Sequence, residues 1–339
     1  MKKTCIGILT ASDIAKRRFI PALLKYDDFE FAGIGFATDE ERNLIVHSDS
    51  KVTADKKHRA EELCAQYGVK LYESFMSIIG APEIDAIYIS LPPALHYHWC
   101  MEALKAGKHI LVEKPLATSI EECEYIIKLA GKKRLVVAEN YGFIYHNQMR
   151  VINELISSRE IGELRLLRAA FGFPRRSEDD FRYVKKLGGG ALLDCGGYTI
   201  RLAGELLGES MRLTDAILFP LEGHDVDGHG YVSAVNDHGL AAQLSFGMDN
   251  QYKCELEIWG EKGIIYTDRI FTAPPEYEPK IRVMQGMETR MIEAGADDQF
   301  LGMIRAFDSG IKDERIRIDM YDRISDQNRR LMKAFELNA

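Results

Sequence analysis

Asp194 and Tyr198 stand four residues apart in the stretch LGGGALLDCGGYTI (187–200). On a helix that spacing puts a carboxylate and a phenol on one face. A tyrosine with an ordinary pKa near ~10 is protonated at neutral pH and can give its proton to a ketone oxygen. The plainer reading is a half-buried core tyrosine, true of most of the chain's 15. A second stretch, GILTASDIAKRRFIPAL (7–23), follows a short apolar run and leads into a helix-like segment. The free N–H groups of such a helix start favour an anion. The dinucleotide frame G-x-G-x-x-G/A falls there on Thr10, Ser12 and Ala15. Ala15 allows close helix–strand packing. Ser12 adds a β-carbon where the backbone should approach pyrophosphate, although its hydroxyl can itself donate to a phosphate oxygen. Thr10 is awkward if its position needs an unusual backbone angle. The alternative is an ordinary β–turn–α. In FGFPRRSEDDFRY (171–183), Arg175, Arg176 and Arg182 can pair with a diphosphate by forked hydrogen bonds. Equally, Glu178, Asp179 and Asp180 can neutralise them in a solvated loop. Tyr252 and Tyr277 are candidates to stack on a nucleotide base, with plain packing as the alternative.

These side chains need elements to hold them. The first 140 residues alternate apolar runs and helical patterns. The runs are CIGIL (5–9), FEFAGIGF (29–36), VKLYES (69–74), AIYISL (86–91), HILVEK (109–114) and RLVVAEN (134–140). Helical segments lie near 14–26, 54–68, 94–107 and 120–133. That alternation implies βαβ units and a parallel sheet. Beyond a helix at 147–158, alternating stretches crowd together at 164–173, 211–219, 231–236, 240–247, 252–260 and 264–270. Close spacing of that kind predicts a mainly antiparallel sheet. Helices near 297–309 and 321–337 end the chain. The expected organisation is therefore α/β throughout. Residues 1–140 form the first domain and 141–339 a second with an open sheet, the last helix packing back on the first.

Bulk properties remove several classes. Of 339 residues 46% are hydrophobic and 28% charged, ordinary for a globular chain. A net charge of −8 without a long basic run argues against nucleic acid. No stretch approaches the roughly 18 apolar residues of a membrane span. The start, MKKTCIGILTASDI, reads as a first strand and not a signal peptide. Six scattered cysteines form no C-x-x-C pair and no zinc spacing, so no metal is expected. Buried, reduced thiols in a cytoplasmic protein are the expectation.

Four stretches, GILTASDIAKRRFIPAL, SLPPALHYHW (90–99), VEKPLATS (112–119) and LGGGALLDCGGYTI, together resemble the Gfo/Idh/MocA oxidoreductases. The likeness covers nearly the whole chain in the right order. Three further stretches resemble the branch of C-3 ketoreductases that act on nucleotide-linked deoxysugars. They are ENYGFIYHNQ (139–148), the arginine-rich loop, and YKCELEIWGEKG (252–263) with DRIFTAPPEYEP (268–279). The resemblance implies a Rossmann domain with nicotinamide across the carboxyl ends of its strands, joined to an open-sheet α/β domain. It places the E-K-P lysine on Lys114, whose charge would hold the reacting oxygen, where the plain reading is a solvated lysine. Glu113 would hold local structure and Pro115 would be cis. Asp194 and Tyr198 fall on the D-x-G-x-H/Y motif; many relatives have histidine at the second place, and tyrosine tilts the reading to carbonyl reduction. Thr10, Ser12, Asp13, Ile14, Leu91, Pro92, His96, Glu113, Lys114 and Asn140 would meet the cofactor. Tyr141, Arg182, Tyr183, Asp194 and Tyr198 would meet the substrate.

Readers of NAD place an acid at the end of the second strand. Ala37 and Thr38 stand there, followed by Asp39 and Glu40. Arg42 would reach a 2′-phosphate, and Lys56, Lys57 and Arg59 would return to the same place. The balance tilts to NADP(H) over NAD(H). The expected protein is an NAD(P)H-dependent reductase of a keto group on a sugar, most specifically a nucleotide-linked keto-deoxysugar. It would be a homodimer or homotetramer. Two rivals stand beside it: a dehydrogenase of a free sugar or inositol, and a cofactor-poor sugar-binding regulator.

Overall fold

A computed structural model describes residues 3–43 and 51–338, with the side chains of 42–43 and 51–56 outside the description. The chain divides into two compact units, Met1–Asn140 with Met303–Ser325, and Tyr141–Gly302 with Asp326–Ala339.

The first unit is built on six parallel strands: β1 Thr4–Leu9, β2 Phe29–Gly35, β3 Lys70–Tyr72, β4 Ala86–Ile89, β5 His109–Val112 and β6 Val137–Glu139. Their spatial order is β3-β2-β1-β4-β5-β6. The order reverses between β1 and β4, a switch point of the kind that opens a crevice at strand carboxyl ends. AIYI in β4 is buried along its whole length, as continuous apolar runs are when helices cover both sheet faces. Phe19 stacks on Tyr88 with centroids 3.7 Å apart, fixing the first helical segment on the sheet. Part of the chain's end belongs here too. Tyr26 donates to Asp308 at 2.5 Å, and Tyr321 donates to the carbonyl of Leu135.

The second unit carries eight strands: β7 Leu164–Gly172, β8 Arg212–Pro220, β9 Asp227–Val235, β10 Ala241–Gly247, β11 Lys253–Gly260, β12 Ile264–Thr267, β13 Lys280–Gln285 and β14 Glu288–Glu293. They are ordered β14-β13-β12-β11-β7-β10-β9-β8. Every neighbouring pair is antiparallel except β7 with β10. Helix Gly197–Leu207 contributes to one apolar core on this sheet. The β13–β14 hairpin is absent from the sequence reading, because β14 is exposed at five of its six positions and lacks a period-2 apolar pattern. The ninth strand begins at Asp227, ahead of the expected 231, since DGHG offers no apolar signal. The final helices, Gln299–Lys312 and Glu314–Leu337, are longer than the expected 297–309 and 321–337.

Candidate functional site

In the first unit, the turn after β1 takes the form a dinucleotide turn needs, without its glycines. Thr10 lies at φ 69°, the left-handed region where a β-branched residue is strained. Its N–H donates to the Gly35 carbonyl at 3.0 Å. Ser12 uses its hydroxyl inside the turn, accepting from the Ala15 N–H at 3.1 Å and bonding the Ser90 hydroxyl at 2.8 Å. That is an N-cap, and it corrects the expectation that this hydroxyl points at phosphate. Asp13 and Ile14 follow in the first turn, where N–H groups have no intrahelical acceptor and can meet an anion. The next turn, Ala15–Phe19, is widened to a π-type helix, a form that recurs at functional sites.

Beyond the end of β2, Glu41 is spent on backbone amides. Thr38 and Glu41 form a reciprocal cap: the Thr38 hydroxyl accepts from the Glu41 N–H at 3.2 Å, and the Glu41 carboxylate accepts from the Thr38 N–H at 2.9 Å. Glu41 is buried and also accepts from Phe75 and Met76 at 3.1 and 2.9 Å. Asp39 and Glu40 are exposed on the short helix that follows Ala37 and Thr38. The side chains of Arg42 and Lys56 lie outside the described residues. Lys57 stands 5.3 Å from the Phe36 ring, and Arg59 pairs with Asp13 at 2.5 Å. Basic groups therefore do return to this end of the sheet.

Lys114 and Glu113 are half-buried just beyond β5, and the Lys114–Pro115 bond is cis. Glu113 accepts from the Tyr88 hydroxyl at 2.5 Å and from the Asn140 amide at 2.7 Å. It is thereby tied to two neighbouring strands of the sheet. Leu91 is buried and Pro92 half-buried in the loop after β4. His96 is fully buried, with ring nitrogens 2.8 Å from the carbonyl oxygens of Pro115 and Leu91. Burial, and in smaller part the Lys114 charge, pulls its pKa down to about 4. A neutral ring donates to one carbonyl and ties the E-K-P segment to the loop after β4. The expected cofactor contact is thus a buried brace. The Asn140 Oδ1 is buried at the end of β6 without a hydrogen-bond partner. An orphaned acceptor there, with the anion-ready helix start, fits a nicotinamide dinucleotide.

In the second unit, Asp194 and Tyr198 lie one turn apart, in the π-type turn Leu192–Gly196 and the helix Gly197–Leu207 that continues it. The helix start is capped from across the unit. Asp227, on β9, accepts from the Leu192 N–H at 2.7 Å. Burial raises the Asp227 carboxyl above its ordinary value despite amide donors at Leu192 and Ala191. Gly190 lies at φ 117°, and a β-carbon there would collide with the Asp227 carboxylate. One at Gly189 would strike the Arg182 carbonyl. The glycine run therefore fits the chain between the cap and the preceding loop. Arg182 donates to Asp194 at 2.6 Å and to Asp180 at 3.1 Å, with all three side chains largely shielded. Burial alone would lower the Arg182 pKa, but the two carboxylates more than offset it and raise it. Arg182 is committed to Asp194 and Asp180, which decides against a free diphosphate ligand and for neutralisation by nearby acids. Tyr198 is half-buried among the rings of Tyr141, Phe143, Phe171 and Phe271, at 5.2, 5.9, 5.1 and 5.7 Å.

Two further expected substrate residues are placed as supports. Tyr141 is 1% exposed, edge-on to Tyr198, and its hydroxyl accepts from Gln327 at 3.2 Å. Tyr183 is 3% exposed, and its hydroxyl accepts from the Arg176 N–H at 2.7 Å. Asp227 escaped the sequence reading, because a cap supplied by a distant strand leaves no local spacing. All six cysteines are free thiols, five of them buried. No helix among the described residues is long and apolar enough to cross a membrane.

Comparison with known proteins follows the same division. Residues 29–141 match a family described as an oxidoreductase family with an NAD-binding Rossmann fold, and residues 149–266 match the GFO/IDH/MocA C-terminal domain. The chain is 35% identical to a dTDP-3,4-didehydro-2,6-dideoxy-alpha-D-glucose 3-reductase of Streptomyces antibioticus, over 89% of this chain and 86% of that one. It is 33% identical to the Saccharopolyspora spinosa enzyme of the same name, over 92% and 88%. Among solved structures, a 3-ketoreductase from Actinomadura kijaniata in complex with NADP and TDP-benzene superposes with a TM-score of 0.88. It is 31% identical, over 96% of this chain and 95% of that one.

Proposed function

The chain belongs to the GFO/IDH/MocA oxidoreductase family, and we propose that it reduces the 3-keto group of a TDP-linked keto-deoxysugar with NADPH. The observation that carries this reading is the pair on the capped helix, a clamped Asp194 one turn ahead of Tyr198. It stands in a chain alike over nine-tenths of its length to 3-reductases of such sugars. Solved variants of the A. kijaniata enzyme replace a lysine and a tyrosine, and their separation in sequence equals that of Lys114 and Tyr198.

When bound, the reduced dinucleotide supplies hydride to the keto carbon. Tyr198 gives its phenolic proton to the oxygen that gains charge, and solvent restores it. Lys114, a compact cation at the end of β5, is the first unit's candidate to stabilise developing negative charge. Asp194, fixed as an ion pair by Arg182, accepts a hydrogen bond from a hydroxyl of the sugar. Asp13, Ile14 and Asn140 would hold the dinucleotide, with Thr10, Ser12, Glu113 and His96 shaping the turn and the strand ends. NADPH is preferred because Glu41 is spent on two helix starts while Lys57 stands beside Phe36, just beyond β2. Copies join through the open face of the second sheet, where the Ile217–Tyr231 and Phe219–His229 pairs are exposed.

The test is absorbance of NADPH at saturating cofactor with a TDP-linked 3-keto-deoxysugar, against NADH and against free sugars. Oxidation of NADPH only with the nucleotide-linked ketone is expected. Turnover of free sugars at equal efficiency would overturn the reading.

A further inference from the structure

The last helix, Glu314–Leu337, belongs to the second unit from Asp326 onward. One side chain on that part, Gln327, is fully buried and meets the helix of Tyr198. Its amide nitrogen donates to the Gly197 carbonyl at 2.8 Å and to the Tyr141 hydroxyl at 3.2 Å. Turning the amide over would set its oxygen against the Gly197 carbonyl oxygen, so the nitrogen must face this way. The amide oxygen is then left buried without a hydrogen-bond partner among the described residues. Native interiors leave few such groups, because each loses its hydration for nothing. An apolar side chain of similar length would fill the same place without that cost.

What the amide holds accounts for its presence. The Gly197 carbonyl belongs to the peptide plane that ends at the Tyr198 nitrogen. Fixing that plane fixes the direction in which the Tyr198 side chain leaves the helix. The Tyr141 hydroxyl occupies the place of the missing Gly197 side chain, and a β-carbon there would collide with it. The Tyr141 ring in turn stands edge-on to the Tyr198 ring, with centroids 5.2 Å apart. Leu331, one turn beyond Gln327, is buried and would lie 3.8 Å from the same β-carbon. One amide, 130 residues away in sequence, therefore holds both the backbone before Tyr198 and a wall against its ring.

We propose that Gln327 is a positioning residue for Tyr198, acting through Gly197 and Tyr141 to hold the phenol in the direction from which it meets the keto oxygen. This inference rests on the reading of Tyr198 as the proton donor.

The experiment is steady-state reduction of a TDP-linked 3-keto-deoxysugar by NADPH, in light and in heavy water, with the wild-type protein, Gln327→Met, Tyr141→Phe and Tyr198→Phe. Gln327→Met keeps the length of the side chain and removes both donors. Its kcat should fall by about tenfold or more, since a small misplacement of a reacting group is enough for that. KM for the sugar and affinity for NADPH should hold, which also reports a folded protein. The solvent isotope effect on kcat should rise, because a misaligned phenol slows proton transfer relative to the other steps. A merely structural residue would move neither the isotope effect nor kcat at unchanged KM. Tyr141→Phe removes one bond alone and should show a severalfold fall in kcat with the same rise, which keeps the question answerable if the methionine variant does not fold. Wild-type kcat and isotope effect in the folded variants at 327 and 141, beside an inactive Tyr198→Phe, would overturn the positioning role and leave the proton donor in place. Wild-type turnover by Tyr198→Phe would overturn the donor and this inference with it.

Discussion

Two helices to which the proposed function gives roles begin at turns built on opposite terms. The turn after β1 needs a left-handed residue and puts Thr10 there. The turn before Asp194 needs left-handed residues and puts Gly188 and Gly190 there. The difference lies in what surrounds the β-carbon. At Gly190 the space is filled by the Asp227 carboxylate that caps the helix of Tyr198, so no side chain fits. At position 10 the cost is backbone strain alone, of order 1–2 kcal/mol, which the surrounding sheet can hold. A glycine is dispensable where only an angle is asked of it, and required where a neighbour occupies its missing side chain. Both helices then open with a π-type turn, which re-aims the residues that follow.

The proposed function puts chemistry at the second turn and cofactor binding at the first, and the sharpest way to break that division is Tyr198→Phe. Turnover should fall by about 10²–10⁴-fold, as loss of a general acid does, with NADPH affinity retained. A variant within tenfold of wild type would move the proton donor elsewhere.

Acid should separate the two units next. His96 and His109 lie in the first unit, and burial pulls each pKa down to about 4, with the Arg317 charge adding to it at His109. An unfolded histidine titrates near ~6.5. Between those values the unfolded chain binds more protons, so stability is complete above ~6.5 and is lost as pH falls toward 4, by a few kcal/mol for the pair. Trp99 reports on the first unit and Trp259 on the second. In single-tryptophan variants, denaturant midpoints between pH 7 and 4.5 should drop further for Trp99. Equal drops would mean that the histidines do not set the acid limit.

Gly190→Ala tests the crowded turn. It should cost about 2–3 kcal/mol, from strain and collision together, and displace the Asp227 cap. Chemical denaturation reads the first effect, and a kcat decline with unchanged NADPH affinity reads the second. Asp227→Asn retains an acceptor for the Leu192 N–H and should be milder than Asp227→Ala. The smallest effect belongs to Thr10→Gly. Relief of the left-handed strain and the added freedom of the unfolded chain oppose each other, leaving a change within about 1 kcal/mol. Dinucleotide affinity should survive. A large loss would show that the threonine side chain itself takes part in binding.

The alternation of apolar runs and helical patterns marked the six strands of the first unit, since each buried strand writes its own continuous run. Lys114, Asp194 and Tyr198 were legible through short motifs whose members are near in sequence. The assignments that failed share a different cause. Arg182 stood open between a diphosphate ligand and a cation neutralised by its acidic neighbours, and only the fold chose Asp180 and Asp194 as its partners. His96, Tyr141 and Tyr183 read as ligand contacts because polarity near a motif does not reveal burial. β14 left no mark in the sequence because an edge strand with little to bury carries no pattern.

The sequence by itself determined the class of the fold and the order of the elements, and through its family resemblance it nominated Tyr198, Asp194 and Lys114 for the chemistry. Local periodicity is sufficient for the fold class and the element order, because each strand or helix pattern lies within one short stretch of chain. Only the tertiary structure decided that Asp227 caps the helix of Tyr198 and that Glu41 is spent on two helix starts. Those facts depend on which distant residues the sheet register brings within hydrogen-bond range. Register is a property of paired strands, and no single stretch of chain contains it.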